Sequence, residues 1–487
     1  MKSASGRIYI SFFLFLLLFR ADISFSQMKK SMIGSSSSKV FVNIDSPNFR
    51  RINVVVPEFI IESGSQDPTL RAFAKSGRKE LISLLRYSGI FNVMDDAIWV
   101  DVMAKLKKNL SKQGSPFGIS EKDQMKNVNI EAWRAFGVES LNIGRLRKTG
   151  QRVVLESWSF DAARGKTLVA KGFTTGNRID QTKAVRRWAD LILKAYTGKS
   201  GVFFSKITFI GKRTAKSEKQ VFVCDFDGTN LRQVTRAKAI HVSPHFSPDG
   251  RYITFTSYEQ GNPDLYAYDL VNNRKKKLSS YRGLNSGATW SPNGRFITYT
   301  GSVNGDSNIY TIPKSGGARK ILIRGRGLDV DPLISPDKKY IAFVSGRYGN
   351  PHIFRGTLMW LSESEVRVVS DKRLTYAGWY NATPDWSPDS KNIIFAGYDK
   401  DIDRFDIFTM EHDGRKLERL TLKAGDNESP AWAPNGQMVV FQSNRIGYQN
   451  RKGRPALYLM FRDGSHQRKL DIDLYEAQTP SWSKNNY

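Results

Sequence analysis

Five histidines, His241, His245, His352, His412 and His466, are the side chains of this sequence best suited to ligate a metal or carry a proton near neutral pH. His412 and His466 flank turns, and His352 takes a place that Asp264, Asn308 and Asp406 hold in other copies of a repeat described below. Only His241 falls in a loop expected to face a pore. Scattered surface histidines are the plain reading, and neither a metal nor a cofactor is expected; a metal-dependent lyase or hydrolase is the alternative they leave open. The sequence holds no G-x-S-x-G elbow, no H-E-x-x-H and no phosphate-cradling glycine loop. Its single cysteine, Cys224, lies in the alternating apolar run "QVFVCDFDG" and reads as a small core hydrophobe. One thiol cannot staple an exported chain internally, so stability must come from packing.

Binding is the remaining class of chemistry. Six stretches rich in Asn, Asp, Glu and Gln recur through the C-terminal half: "AIHVSP" (239–244), "GLNSGA" (283–288), "GLDVDP" (327–332), "GWYNATP" (378–384), "GDNESP" (425–430) and "YEAQTP" (475–480). Solvated turn residues are the bland account of any one of them. As a set they predict a polar, mildly acidic ring offered by His241, Asn285, Asp329, Asp331, Asn381, Asn427, Glu428 and Gln478. On a strongly basic protein such a ring suits a partner presenting basic or hydrogen-bonding groups.

The elements that must position this ring are written in a repeat. Aligning Ser247, Ser291, Ser335, Ser387, Ala433 and Ser483 gives spacings of 44, 44, 52, 46 and 50 residues. A bulky apolar residue precedes each: Phe246, Trp290, Ile334, Trp386, Trp432 and Trp482. The S-P-D-G that follows, or its near relative, is hairpin-turn chemistry: Pro fixes φ, Asp or Asn bonds its own backbone, and Gly supplies the left-handed exit. Next comes a period-two strand with Phe255, Tyr299, Phe343, Phe395 or Phe441, and Ile253, Ile297, Ile341, Ile393 or Val439 two places earlier. A third strand carries Leu265-Tyr266, Ile309-Tyr310, Ile353-Phe354, Ile407-Phe408 or Leu457-Tyr458, and turns such as Asp413-Gly414 lead into a fourth. Four antiparallel strands in roughly 45 residues make a β-propeller blade. Ahead of the first full copy, "KITFIG", "QVFVCDFDG" and "LRQVT" supply second, third and fourth strands without an innermost one, whereas "TPSWS" (479–483) is an innermost strand alone. Joined, they complete a sixth blade and close the ring.

Residues 39–200 lack the repeat. Asp67-Pro68 opens a helix with Leu70, Phe73, Ala74, Leu81, Leu84 and Leu85 on its apolar face, and a second runs from Asp180 to Thr197 with Val185, Trp188, Ala189, Ile192, Leu193 and Tyr196. With a strand meander over "SLNIGRLRKTGQRVVLESWSF" and "TLVAKGF", this predicts a small α/β domain. The expected organisation is a signal peptide over 1–26, a flexible segment over 27–38, an N-terminal α/β domain over 39–200 and an all-β six-bladed β-propeller over 201–487. The signal peptide rests on Lys2 and Arg7 before the apolar run Ile8–Phe19 and small residues at Ser24 and Ser26. That run is too short to span a membrane comfortably. The net charge of +29, from 75 Lys and Arg against 46 Asp and Glu, favours anionic neighbours such as envelope polyanions. No specific nucleic-acid module accompanies it, and a monomer is expected.

The opening "KVFVNIDSPNFRRINVVVPEF", the linker "RRWADLILKAYTGKSGVF" and "GRYGNPHIF…RLTYAGWYNATPDWSPDS" resemble the TolB family of the Tol–Pal system over nearly the whole chain after the signal. The resemblance implies a periplasmic, non-enzymatic adaptor supporting outer-membrane integrity and constriction at cell division. It implies that the propeller mouth binds a Pal-type peptidoglycan-associated lipoprotein, with Leu284, Asn285, Gly287 and Val330 among the first positions to test. A TolA-type inner-membrane protein would be met by an N-terminal segment containing Lys39, Val40, Phe41, Val42, Asn43, Ile44 and Asp45. The chain departs from the family in a Ser/Met/Lys-rich extension before "KVFV" and in insertions such as "IGYQNRKGRP". A propeller binding glycans or other envelope polyanions remains the alternative.

Overall fold

The computed structural model describes residues 50–62, 67–97, 130–303, 305–401, 403–422, 424–446 and 449–484. The expected signal peptide, the 27–38 segment and the Lys39–Asp45 partner segment lie outside the described residues.

Six four-stranded antiparallel sheets follow one another through the C-terminal region. Their innermost strands are His241–Phe246, Asn285–Trp290, Asp329–Ile334, Tyr380–Trp386, Asn427–Trp432 and Glu476–Trp482. In five blades the strands pair in chain order, inner to outer. In the sixth, Glu476–Trp482 pairs with Lys206–Lys212, with Trp482 opposite Ile207 and Glu476 opposite Lys212. The tail therefore closes the ring as the split repeat predicts. Two further bonds hold the seam: Lys206 N–H donates to Ser483 Oγ at 2.8 Å, and the Trp482 indole donates to Ser205 Oγ at 2.8 Å.

The period-two positions form the core. Phe255, Tyr299, Phe343, Phe395 and Phe441 are buried, as are the β-branched residues two places before each. A blade alone would leave both faces wet; here each face meets the next blade. Leu265 and Leu278 of the first blade pack with Trp290 and Tyr299 of the second, and Val221 and Val234 of the split blade pack with Phe246 and Phe255 of the first. The S-P-D-G turns behave as their chemistry dictates: Ser247, Ser291, Ser335 and Ser387 each accept a backbone N–H five residues on, at 2.8–3.1 Å. Three outermost strands are shorter than the sequence suggests: "LRQVT", "ERLTL" and "QRKLD" shrink to Arg232–Gln233, Glu418–Arg419 and Arg468–Lys469, whereas the outer strands Arg274–Ser279 and Glu365–Arg373 run to six and nine residues.

Among the described residues, the N-terminal domain packs three helices on a mixed sheet. Helix α1 (Pro68–Tyr87) starts at Asp67, whose carboxylate accepts the Thr69 N–H at 2.8 Å, and buries every predicted apolar position except the half-buried Ala74. Helix α2 spans Ile130–Ala135. Helix α3 (Arg178–Thr197) begins two residues earlier than predicted, because Asn177 is its cap and takes the Asp180 N–H. The buried Trp188 on α3 donates its indole N–H to Ser159 at 2.9 Å. The predicted meander is Ser140–Thr149, Arg152–Asp161 and Lys166–Thr175. The sequence did not reveal that Ile52–Val55 joins it in parallel and then pairs in parallel with Phe91–Val93.

Both domains belong to one compact unit, Asn43–Tyr487, and their contact occupies the end of the propeller that carries the turns between third and fourth strands. Tyr87 Oη donates to Phe226 O at 2.6 Å, Arg468 donates to Tyr87 O at 3.1 Å, and Arg186 reaches Asp225 at 3.1 Å. Gly89, at φ +70°, lies so close to this surface that a Cβ would sit 1.9 Å from Phe461 Cζ. Among the described residues nothing covers the opposite end of the ring.

Candidate functional site

The open end is built by two sets of loops: those that carry the chain from one blade's outer strand to the next blade's inner strand, and those between second and third strands. A repeated backbone bond ties the sets together, as in Tyr258 N–H to Ile240 O (3.1 Å), Ser302 N–H to Leu284 O (3.1 Å) and Gly346 N–H to Leu328 O (2.7 Å). Each inner strand then kinks at one residue with positive φ: Ser243, Gly287, Asp331, Thr383, Ser429 and Thr479, at 48–60°. Each kink coincides with a bulge in the ladder and, except at Gly287, precedes a proline. Five of the six are not glycine, so each holds about 1 kcal/mol or more of backbone strain, balanced by the surrounding ring.

Below the kinks a cavity of about 580 Å³ runs along the ring axis, walled by Pro244, Ala288, Pro332, Pro384, Pro430 and Pro480 among others. Four titratable side chains line it: His245, Asp331, Asp385 and Lys484. Burial lowers the imidazole pKa of His245 and raises the carboxyl pKa of Asp331. It pushes Asp385 up to about 7, although Asp385 accepts backbone N–H groups from Trp432 at 2.7 Å and from Trp386 at 3.0 Å. Each keeps some surface toward the channel. Four buried polar atoms on the wall, Trp290 Nε1, Trp432 Nε1, Thr383 Oγ1 and Thr479 Oγ1, lack a protein partner among the described residues, which suits a wet channel.

The predicted ring residues fall into two groups. His241, Asn285, Asp329, Asn381 and Asn427 do not face a partner: all five are buried, at 0–3 % exposed, and stand two places before a kink. Their task is internal. Asn285 donates to Pro263 O, Tyr281 O and Gly283 O at 2.7–3.1 Å and accepts from Ser279 Oγ at 2.7 Å. Asn427 donates to Asp406 Oδ1 at 2.9 Å and accepts from Arg445 at 2.6 Å. Asp329 accepts from Arg347 at 3.3 Å. His241 reaches Lys219 O and Glu259 Oε1, each at 3.2 Å, and does not face the pore. The physical reason is the loop itself: it crosses the end of an apolar core, where its backbone groups lose water and need side-chain partners. Leu284, Gly287, Val330, Asp331, Glu428 and Gln478 keep accessible surface at the mouth or in the channel.

Of the remaining histidines, His352 is buried, His412 half-buried and His466 exposed. Asn381 Nδ2–H donates to His352 Nδ1 at 3.0 Å, and burial holds His352 down to about 4. Arg355 donates to His412 Nδ1 at 2.8 Å, and His466 lies against Phe461. Among the described residues no group of three or more His, Cys, Asp or Glu is arranged to hold a metal ion.

Two features of the mouth escaped the sequence reading. Tyr348, Tyr376 and Trp379 stand out at 71 %, 76 % and 52 % exposure on the third and fourth blades, with Lys400 Nζ 4.8 Å from the Trp379 ring. The aromatic-rich loops "RYGNP" and "TYAGWYN" were the available signal. The rim is also not uniformly acidic: Arg236, Lys238, Arg282, Arg324 and Arg326 are exposed in the connections into blades one to three, while acidic residues gather at Asp426–Glu428 and Asp471–Glu476.

A family profile described as the TolB beta propeller domain matches residues 193–486. The Tol-Pal system protein TolB of Xanthomonas campestris pv. campestris is 39% identical over 360 residues, which cover 73% of this chain and 78% of that protein. The protein of the same name from Desulfosudis oleivorans is 32% identical over 245 residues, covering 50% of this chain and 51% of the relative. The chain thus spans about half the length of the Desulfosudis relative, and about half that of the one from Syntrophus aciditrophicus, at 52%. The crystal structure of TolB from Acinetobacter baumannii superposes with a TM-score of 0.70 over 89% of this chain and 97% of that one, at 23% identity, a likeness of fold. A closed six-bladed ring with a split blade, a profile over more than half the chain and a long relative at this identity agree: the chain belongs to the TolB family.

Proposed function

We propose that this protein is a periplasmic, non-enzymatic adaptor of the Tol–Pal system, binding a Pal-type peptidoglycan-associated lipoprotein at the open mouth and a TolA-type protein through Lys39–Asp45. The observation that carries the reading is the asymmetry of the ring. The N-terminal domain covers one end, and the other presents Tyr348, Tyr376 and Trp379 beside Leu284 and Val330. Exposed aromatics beside a polar, partly acidic rim are what a protein partner docks on. Partner exchange between the two surfaces would support outer-membrane integrity and constriction at division. The test is co-purification of the tagged protein from detergent-solubilised envelopes. A Pal-type lipoprotein is expected with the parent and is reduced at least about tenfold by Leu284→Asp with Trp379→Ala, two losses of roughly 1 kcal/mol or more each. Unchanged capture by that variant would refute the mouth as the docking surface. Capture of envelope polymer without lipoprotein would favour the glycan or polyanion reading.

A further inference from the structure

The positive charge of the propeller is concentrated on one side. Residues 201–330, which supply the split blade's outer strands and the first two blades, carry 20 Lys and Arg against 9 Asp and Glu, a net of +11. Residues 331–487 carry 22 against 20, a net of +2. Much of the excess is already neutralised: Lys275 pairs with Glu259, Lys277 with Asp264, and Arg251 with Asp269. Five exposed cations at the open end are different. Arg236 and Lys238 precede the first blade, Arg282 precedes the second, and Arg324 and Arg326 precede the third. None of the five has an acidic partner among the described residues. Between them stand Ile240, Tyr258 and Tyr281, exposed at 45 %, 40 % and 40 %, with the Tyr281 ring stacked 3.9 Å from the Arg319 guanidinium.

Propeller geometry makes this arrangement flat. All these residues sit on loops at the same end of consecutive blades, so they share the plane of the mouth instead of lining a groove. Unpaired cations in a plane, interleaved with aromatic and aliphatic side chains, complement a charged planar surface with an apolar layer beneath it. The cations meet phosphates, the tyrosines sit at headgroup depth, and Ile240 reaches past them. A polymer strand would need a track and would leave Ile240 and Tyr258 without purpose.

The geometry points to a second docking surface on the mouth: the arc Arg236–Lys238–Arg282–Arg324–Arg326 binds an anionic phospholipid surface. It adjoins the face assigned above to a protein partner, since Arg282 shares a connection with Leu284 and Arg326 shares one with Val330, but it does not rest on that assignment. The experiment is co-sedimentation of the purified protein with phosphatidylcholine vesicles, with and without phosphatidylglycerol, at low and high salt. Binding is expected only to the anionic vesicles and to fall as salt rises. The variant R236E/K238E/R282E/R326E is expected to weaken it at least about a hundredfold, at roughly fivefold per cation near the surface. A control with the same charge change placed off the mouth, K339E/R367E/K391E/K469E, is expected to keep most of the binding. Equal loss in both variants would show a whole-chain charge effect and overturn the proposal. So would absence of binding by the parent to anionic vesicles, or binding to soluble dextran sulfate without binding to vesicles.

Discussion

Replacing Asp385 by Asn converts the electrostatics of the channel into a pH profile. Asp385 sits on the inner strand of the fourth blade and accepts two backbone N–H groups, one through each carboxylate oxygen, from Trp432 at 2.7 Å and Trp386 at 3.0 Å. Burial outweighs those bonds and moves its pKa from 3.8 to about 7. A shift of about three units corresponds to about 4 kcal/mol, and screening by channel water brings the effective term to about 2–4 kcal/mol. The folded carboxyl holds its proton more tightly than the unfolded one. Its contribution to stability is therefore complete below about pH 4 and is lost as pH rises to about 7. Asn cannot ionise, so Asp385→Asn removes that slope. It also forfeits one acceptor oxygen at every pH, at about 1–3 kcal/mol. In urea unfolding the variant should be the less stable protein near pH 4, and the difference should close or reverse near pH 8. A constant offset between the two proteins across that window would refute the reasoning.

Two further substitutions probe the ring itself. Asn427→Ala removes a buried side chain that ties Asp406 and Arg445 to the loop, and should lower stability by about 3 kcal/mol in denaturant unfolding; a change below about 1 kcal/mol would restore Asn427 as a surface residue. Trp482→Ala empties the closing strand of its largest side chain and removes the indole N–H that Ser205 Oγ accepts. It should cost about 4 kcal/mol and raise the unfolding rate, since the seam at Lys206–Lys212 loosens first. An effect no larger than that of an exposed tryptophan would mean that the seam does not hold the ring.

Much of the fold was legible because a blade is a local object. The turn chemistry of Ser247–Gly250, the period-two burial of Ile253 and Phe255, and the apolar pair Leu265-Tyr266 are decided within one repeat, and repetition made the signal redundant. The N-terminal domain was less legible. Ile52–Val55 finds its parallel neighbours at Phe91–Val93 and Ser140, pairings that span tens of residues and leave no spacing to read. The candidate site was legible in place but not in direction. The loops were located correctly, yet Asn285, Asp329, Asn381 and Asn427 are as polar inside a loop as on its surface. Composition does not say whether an Asn side chain bonds water or the backbone that curls around it.

By itself the amino-acid sequence determined the blade, the number of blades and the closure of the ring, since alternation, turn residues and a repeat split between two ends are properties of order along the chain. Only the tertiary structure decided which end of the ring stays open and which polar groups are sealed. It also decided where charge is left unpaired, so that Arg236, Arg282 and Arg326 face one plane while Lys275 and Lys277 are already matched. The reason is physical: burial and Coulombic pairing depend on distances across the chain, and those exist only once the sheets have packed.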